Sequence, residues 1–126
     1  MQPMVLLYRF NAKRAAKLRM AAMRLGIRTR AVAKHEYLQP LGVLTGECEP
    51  FESFYDGAEF SEEMLVMAHL SEEAFQRFLP AIRAAVGPIP LKAVLTETNR
   101  GWSSLELYEQ LNAERQAIEQ GKSLHE

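Results

Sequence analysis

An α+β protein of the ferredoxin-like kind, a βαββαβ sheet built by duplicating one βαβ unit, is the fold the sequence predicts, with a long insert between the repeats and an extra C-terminal helix. Three observations predict it. Two apolar runs of strand length, Met4 to Phe10 and Met64 to Leu70, occupy matching places in two halves of the chain. Each stops just before a favoured N-cap, Asn11 or Ser71, that opens a helical pattern closed by a glycine, Gly26 or Gly87. Each helix then leads into a second strand, Ile27 to Ala33 or Leu91 to Thr96. Two such units, each crossing over right-handed, most simply make a four-stranded antiparallel sheet with both helices on one face.

The chain, 126 residues long, is expected to form a single domain over 1–126. The first βαβ unit takes 1–33, an acidic and aromatic insert 34–62, the second unit 63–96, and the last helix 103–120. Asn11 falls on Ser71, Leu18 on Phe78 and Ala22 on Ile82, and a two-residue lengthening at Gly-Pro-Ile-Pro then sets Arg30-Ala31-Val32 on Lys92-Ala93-Val94. In the insert, Pro40 and Gly42 limit any helix to a turn or two, while Tyr37, Leu38, Phe51, Phe54, Tyr55 and Phe60 give it apolar weight and predict that it docks on something. Ser103 and Glu106 have the spacing of a capping box, which opens the final helix.

Alternation along the two central strands separates Met4, Leu6, Tyr8 and Phe10 with Met64, Val66, Ala68 and Leu70 from Val5, Leu7 and Arg9 with Leu65, Met67 and His69. Both sets are mostly apolar, yet the repeat helices can cover only one. The second set is read as the face left over, to be shielded by the C-terminal helix, by the insert or by another subunit, so a homo-oligomer is expected.

Charge is unevenly placed. Residues 1–34 hold nine basic side chains and no acid, whereas seven acids (Glu47, Glu49, Glu52, Asp56, Glu59, Glu62 and Glu63) fall within 47–63 with no Lys or Arg between them. Halves of opposite sign imply contact with each other, within or between chains, or with a charged partner. The lone cysteine, Cys48, excludes a disulfide framework and points to a reducing, cytoplasmic setting. The short Met4–Leu7 run is too brief for a signal core or a membrane span, and no membrane partner is expected.

Lys13 and Arg14 sit in the opening turn of the first helix, where the helix dipole disfavours cations, and Lys17 and Arg24 lie on the same side. That stripe reads either as a site for an anionic ligand or nucleic acid, the latter also using Arg28 and Arg30, or as a solvated face answering the acidic insert. The plain reading is favoured, because no aromatic residue interleaves with the stripe. Arg9 and His69 are repeat equivalents that could flank an anion on the second sheet face, or simply end their strands in water. Thr96, Thr98, Asn99 and Arg100 converge between a strand and a capped helix, as an anion-binding turn or as an ordinary structural one. A small-molecule enzyme would need a pocket lined by groups such as Arg9, His69 and Glu97. His35, His69, His125 and Cys48 lack the close spacing of zinc ligands, no nucleophile–base pair or phosphate loop is present, and no catalytic residue, metal or cofactor is assigned.

The stretch Pro90 to Leu111, PLKAVLTETNRGWSSLELYEQL, resembles an uncharacterised bacterial domain-of-unknown-function family with a Leu-Lys-Ala-Val-Leu-Thr strand, an Asn and Trp turn and a Leu-rich helix. The resemblance covers that stretch closely and the second repeat loosely. It implies no activity. The expectation is therefore a non-catalytic binding or regulatory domain that self-associates and recognises an anionic partner.

Overall fold

The computed structural model describes residues 2–119. Strand β1 (Met4–Tyr8) leads through helix α1 (Ala12–Arg24) to β2 (Arg28–Ala31), and β3 (Met64–Ala68) leads through α3 (Glu72–Val86) to β4 (Leu91–Val94). Between the units lie a 3-10 turn (Lys34–Glu36) and the short α2 (Leu41–Leu44), and α4 (Ser104–Glu119) ends the described chain. The predicted helix 103–120 thus agrees within one residue, although Gln120 lies outside the described residues.

Both repeat helices begin as their sequences dictate. The Asn11 side chain accepts from the Arg14 amide at 2.8 Å, and the Ser71 hydroxyl accepts from the Ala74 amide at 3.1 Å. Each ends at a glycine with positive φ, Gly26 at 72° and Gly87 at 77°, a conformation that side-chain-bearing residues adopt only at a cost.

The sheet corrects the expected topology. Its strand order is β2-β1-β3-β4, with β1 and β3 antiparallel but each outer strand parallel to its own partner. It is a mixed sheet and not the antiparallel ferredoxin-like one. A ferredoxin-like sheet splits each βαβ unit around a strand of the other; here each unit closes on itself and the two meet edge to edge. Leu6 pairs with Val66, its own repeat equivalent, so the pseudo-twofold passes between them.

Register shifts a second expectation. Arg28 and Leu91 are paired with the equivalent residues Met4 and Met64, which sets Arg30 on Ala93, one place from the predicted match with Lys92. The connector before β4 is effectively longer by one more residue than Gly-Pro-Ile-Pro suggests.

The face assignment also reverses. Val5, Leu7, Leu65 and Met67 pack under α1 and α3 with Leu18, Phe78 and Ile82. Leu6, Tyr8, Met64 and Val66 face Tyr37, Leu41, Leu44 and Phe60 of the insert and Leu107 of α4. The chain therefore covers both faces itself, and no bare sheet face remains to require a second subunit. Tyr37 and Phe60 stack at 4.2 Å, and Phe60 stacks on Tyr108 at 4.1 Å, so the insert is a third layer welded by aromatic rings.

Candidate interaction surface

Arg9 and His69 both adopt left-handed backbone, φ 68° and 62°, immediately after their strands end. That conformation breaks the alternation and turns both side chains toward the insert. Arg9 Nη1 lies 2.9 Å from Glu59 Oε2, and His69 Nε2 lies 3.3 Å from Glu47 Oε2. Because β1 and β3 run antiparallel, the two residues finish at opposite ends of the sheet. They do not flank a common anion.

The turn after β4 is structural. The Thr96 amide donates to Asn99 Oδ1 at 2.8 Å, the Asn99 amide donates to Thr96 Oγ1 at 3.1 Å, and Asn99 Nδ2 donates to the Val94 carbonyl at 3.0 Å. The carbonyls of Arg100 and Trp102 in turn accept from the Gly42 and Leu41 amides, both at 2.8 Å, at the start of α2. Asn99 is buried, Thr98 projects into solvent, and Arg100 Nη1 stands 3.5 Å from Glu47 Oε1. Glu47 so gathers His69 and Arg100 around a cleft of about 180 Å³ that also touches Thr96 and Glu97. The polar groups in which an anion would have found its donors are largely committed to one another.

On α1 the predicted basic residues separate into two kinds. Arg14 forms a forked pair with Glu63, Nε to Oε2 at 2.6 Å and Nη2 to Oε1 at 2.9 Å, and donates to the Val86 carbonyl at 2.8 Å. It ties α1 to the end of α3. The Arg30 guanidinium is likewise engaged, by Glu36 and by the Leu44 carbonyl at 2.7 Å. Lys13, Lys17 and Arg24 have no carboxylate within 4.0 Å among the described residues. Lys17 and Arg24 border a groove of about 730 Å³ between α1 and α3, floored by Ala16, Met20, Ala21, Ala81, Ala84 and Ala85. Among the described residues no acidic side chain lines it. Sequence reasoning placed the cations but missed the groove; the signal was present in Ala16 and Met20 on the first helix and in Ala81, Ala84 and Ala85 on the other, at the three- and four-residue spacings of one helical face.

The acids of 47–63 are spent just as selectively. Glu47, Glu59, Glu62 and Glu63 pair with His69 and Arg100, Arg9, Arg115 and Arg14. Glu49, Glu52 and Asp56 meet no cation within 4.0 Å among the described residues. They flank Phe51 and Phe54, which are 53% and 72% exposed.

Among the described residues no group of three or more His, Cys, Asp or Glu is disposed to hold a metal, and no helix is long and apolar enough to cross a membrane. His125 lies outside the described residues. The fold and its surfaces define an α+β domain with an apolar, cation-bordered helix groove. The sequence profile of a domain of unknown function, DUF3783, matches residues 63–118, which span the second repeat and most of α4. No curated protein and no solved structure matches the chain.

Proposed function

We propose that the chain is a non-catalytic interaction module of the bacterial cytoplasm that takes an acidic, apolar segment of a protein partner into the groove between α1 and α3. The observation that carries this reading is the pairing of an alanine and methionine floor with Lys17 and Arg24 at its border and, among the described residues, no carboxylate in its lining. An apolar floor supplies area, and cations with no carboxylate partner among the described residues select the sign of what lies on it. The reducing setting agrees with the unpaired, exposed Cys48. Nucleic acid is the weaker reading, because Arg14 and Arg30 are already held by Glu63 and Glu36 and the floor offers alanine where a base would need an aromatic face. Small-molecule catalysis is weaker still, because Arg9 stands at the other end of the sheet from His69 and Glu97.

Fluorescence anisotropy with two labelled amphipathic peptides tests the proposal, one of leucine and glutamate and the other of leucine and lysine in the same pattern. The acidic peptide should bind and weaken as salt rises, since surface charges are screened beyond about 8 Å at physiological ionic strength. Ala84→Glu, at an exposed floor position, should cost about tenfold in affinity, equivalent to ~1.4 kcal/mol. Equal affinity for both peptides, or an unaffected A84E variant that is folded by circular dichroism, sinks the reading.

A further inference from the structure

The molecule carries both halves of a complementary pair on opposite sides of itself. The groove lies on the outer side of α1 and α3, with Met20 49% exposed in its floor and, at its border, Lys17 and Arg24, which have no carboxylate within 4.0 Å among the described residues. The acidic aromatic segment lies on the far side of the sheet. It belongs to the layer in which Tyr55 stacks on Tyr37 at 5.7 Å and Tyr37 packs on β1 and β3.

That segment is held for presentation. The Gln39 amide donates to the Phe51 carbonyl and to Ser53 Oγ at 2.9 Å, and the Tyr55 amide donates to the His35 carbonyl at 3.2 Å. The Phe54 ring rests on His35 at 5.9 Å but still faces water. A backbone tied at both sides of two solvent-facing phenylalanines has already met much of the ordering cost of binding. The three acids beside them, Glu49, Glu52 and Asp56, are opposite in charge to Lys13, Lys17 and Arg24, and neither set has a salt-bridge partner among the described residues.

We infer that the occupant of the α1–α3 groove is the Glu49–Asp56 segment of a second copy of this chain, with Phe51 and Phe54 on the alanine floor. The inference rests on the groove reading above and adds the identity of the partner. The sheet separates the two surfaces within one chain, so the contact is between copies. Donor and acceptor surfaces on opposite sides make the contact heterologous, and copies add head to tail. Two phenylalanines bury about 150–250 Å² each, which is short of the roughly 800 Å² per partner of a stable interface, so assembly is weak and concentration-dependent.

Sedimentation velocity on the full chain from micromolar to millimolar concentration tests it, with Phe51→Ser/Phe54→Ser as a variant lacking the donor and Ala84→Glu as one lacking the acceptor. All three substituted side chains are exposed, so both variants should fold. The wild type should grow past the dimer as concentration rises, each variant alone should stay monomeric, and an equimolar mixture of the two variants should form a dimer and stop there. A wild type that is monomeric throughout, a mass that plateaus at the dimer, or assembly that survives either variant overturns the inference. The leucine–glutamate peptide, run on the same protein, separates the two readings. Peptide binding without self-assembly leaves the groove standing and removes the second copy as its occupant, whereas loss of both removes both.

Discussion

Tyr8 shows how a single side chain joins the layers. Its hydroxyl and that of Ser104 share a hydrogen bond of 2.7 Å, with both residues buried between β1 and the start of α4. Burial, the largest cause, pushes the Tyr8 hydroxyl far above the ordinary phenol range, against a smaller lowering by the Ser104 bond. Burial also raises Tyr37. Both groups thus contribute stability that is full below the unfolded phenol pKa and lost as pH climbs toward their folded values; urea melts should show stability falling above about pH 10, less steeply in Tyr8→Phe. Ser104→Ala should cost about 1–3 kcal/mol by leaving the Tyr8 hydroxyl unsatisfied, and adding Tyr8→Phe should restore part of the loss. A double-mutant cycle with no coupling would show that the bond adds nothing. Glu62 supplies the acid limb. Its hydrogen bonds to Arg115, one of them 2.8 Å, hold its carboxyl below the usual carboxylate range. Its contribution is present above that range and fades as pH falls through the lowered value, so Glu62→Gln should flatten the acid side of a pH–stability curve without moving the alkaline side.

Among the elements, the turn from β4 into α4 was ambiguous in sequence, since Thr, Asn and Arg serve an anion site and a plain turn equally well. In the fold, Thr96 and Asn99 spend their polar groups on closing the turn. Asn99 is buried and bonds the Thr96 amide and the Val94 carbonyl, while the carbonyls on its far side close the start of α2. Asn99→Ala should therefore destabilise the protein by about 1–3 kcal/mol, read by thermal melting, and phosphate should not raise the melting temperature of the wild type. The caps of α1, α3 and α4 were legible because each needs only residues within one turn. At α4 the Ser103 amide donates to Glu106 Oε1 at 3.0 Å, and the Glu106 amide donates to Ser103 Oγ at 3.2 Å, as the capping-box spacing predicts. Strand ends were less legible. Arg9 and His69 read as further strand residues, yet their left-handed backbone ends the strands and swings them to the insert.

For the whole molecule, the second sheet face, which the sequence leaves to the C-terminal helix, the insert or another subunit, is covered by the first two together and makes a third layer. The helices α1 and α3 cover one face of the sheet, and the insert with α4 covers the other. Ending the chain at Gly101 should uncover Leu6, Val66, Tyr37 and Phe60 together, and the truncated protein should bind a hydrophobic dye and lose its cooperative melting transition; a sharp transition at the wild-type temperature would contradict the third layer's role. The polarity of charge along the chain has a corresponding division of labour. Of the seven acids in 47–63, four pair with Arg9, Arg14, Arg115 and the His69–Arg100 pair, and the remaining three face outward beside Phe51 and Phe54.

The sequence alone determined the repeat, its helix caps and glycine stops, the alternation of its strands and the separation of its charges, because each is written in residues near one another along the chain. Only the tertiary structure decided that the strands form a mixed sheet, that the insert and α4 cover its second face, and which charges are spent. Period-two alternation is the same whether a strand's neighbour is parallel or antiparallel, and a βαβ unit looks alike in sequence whether its strands touch or stand one strand apart. Pairing a cation with a carboxylate fifty residues away, as Arg9 with Glu59, depends on that choice of neighbours and leaves no local trace.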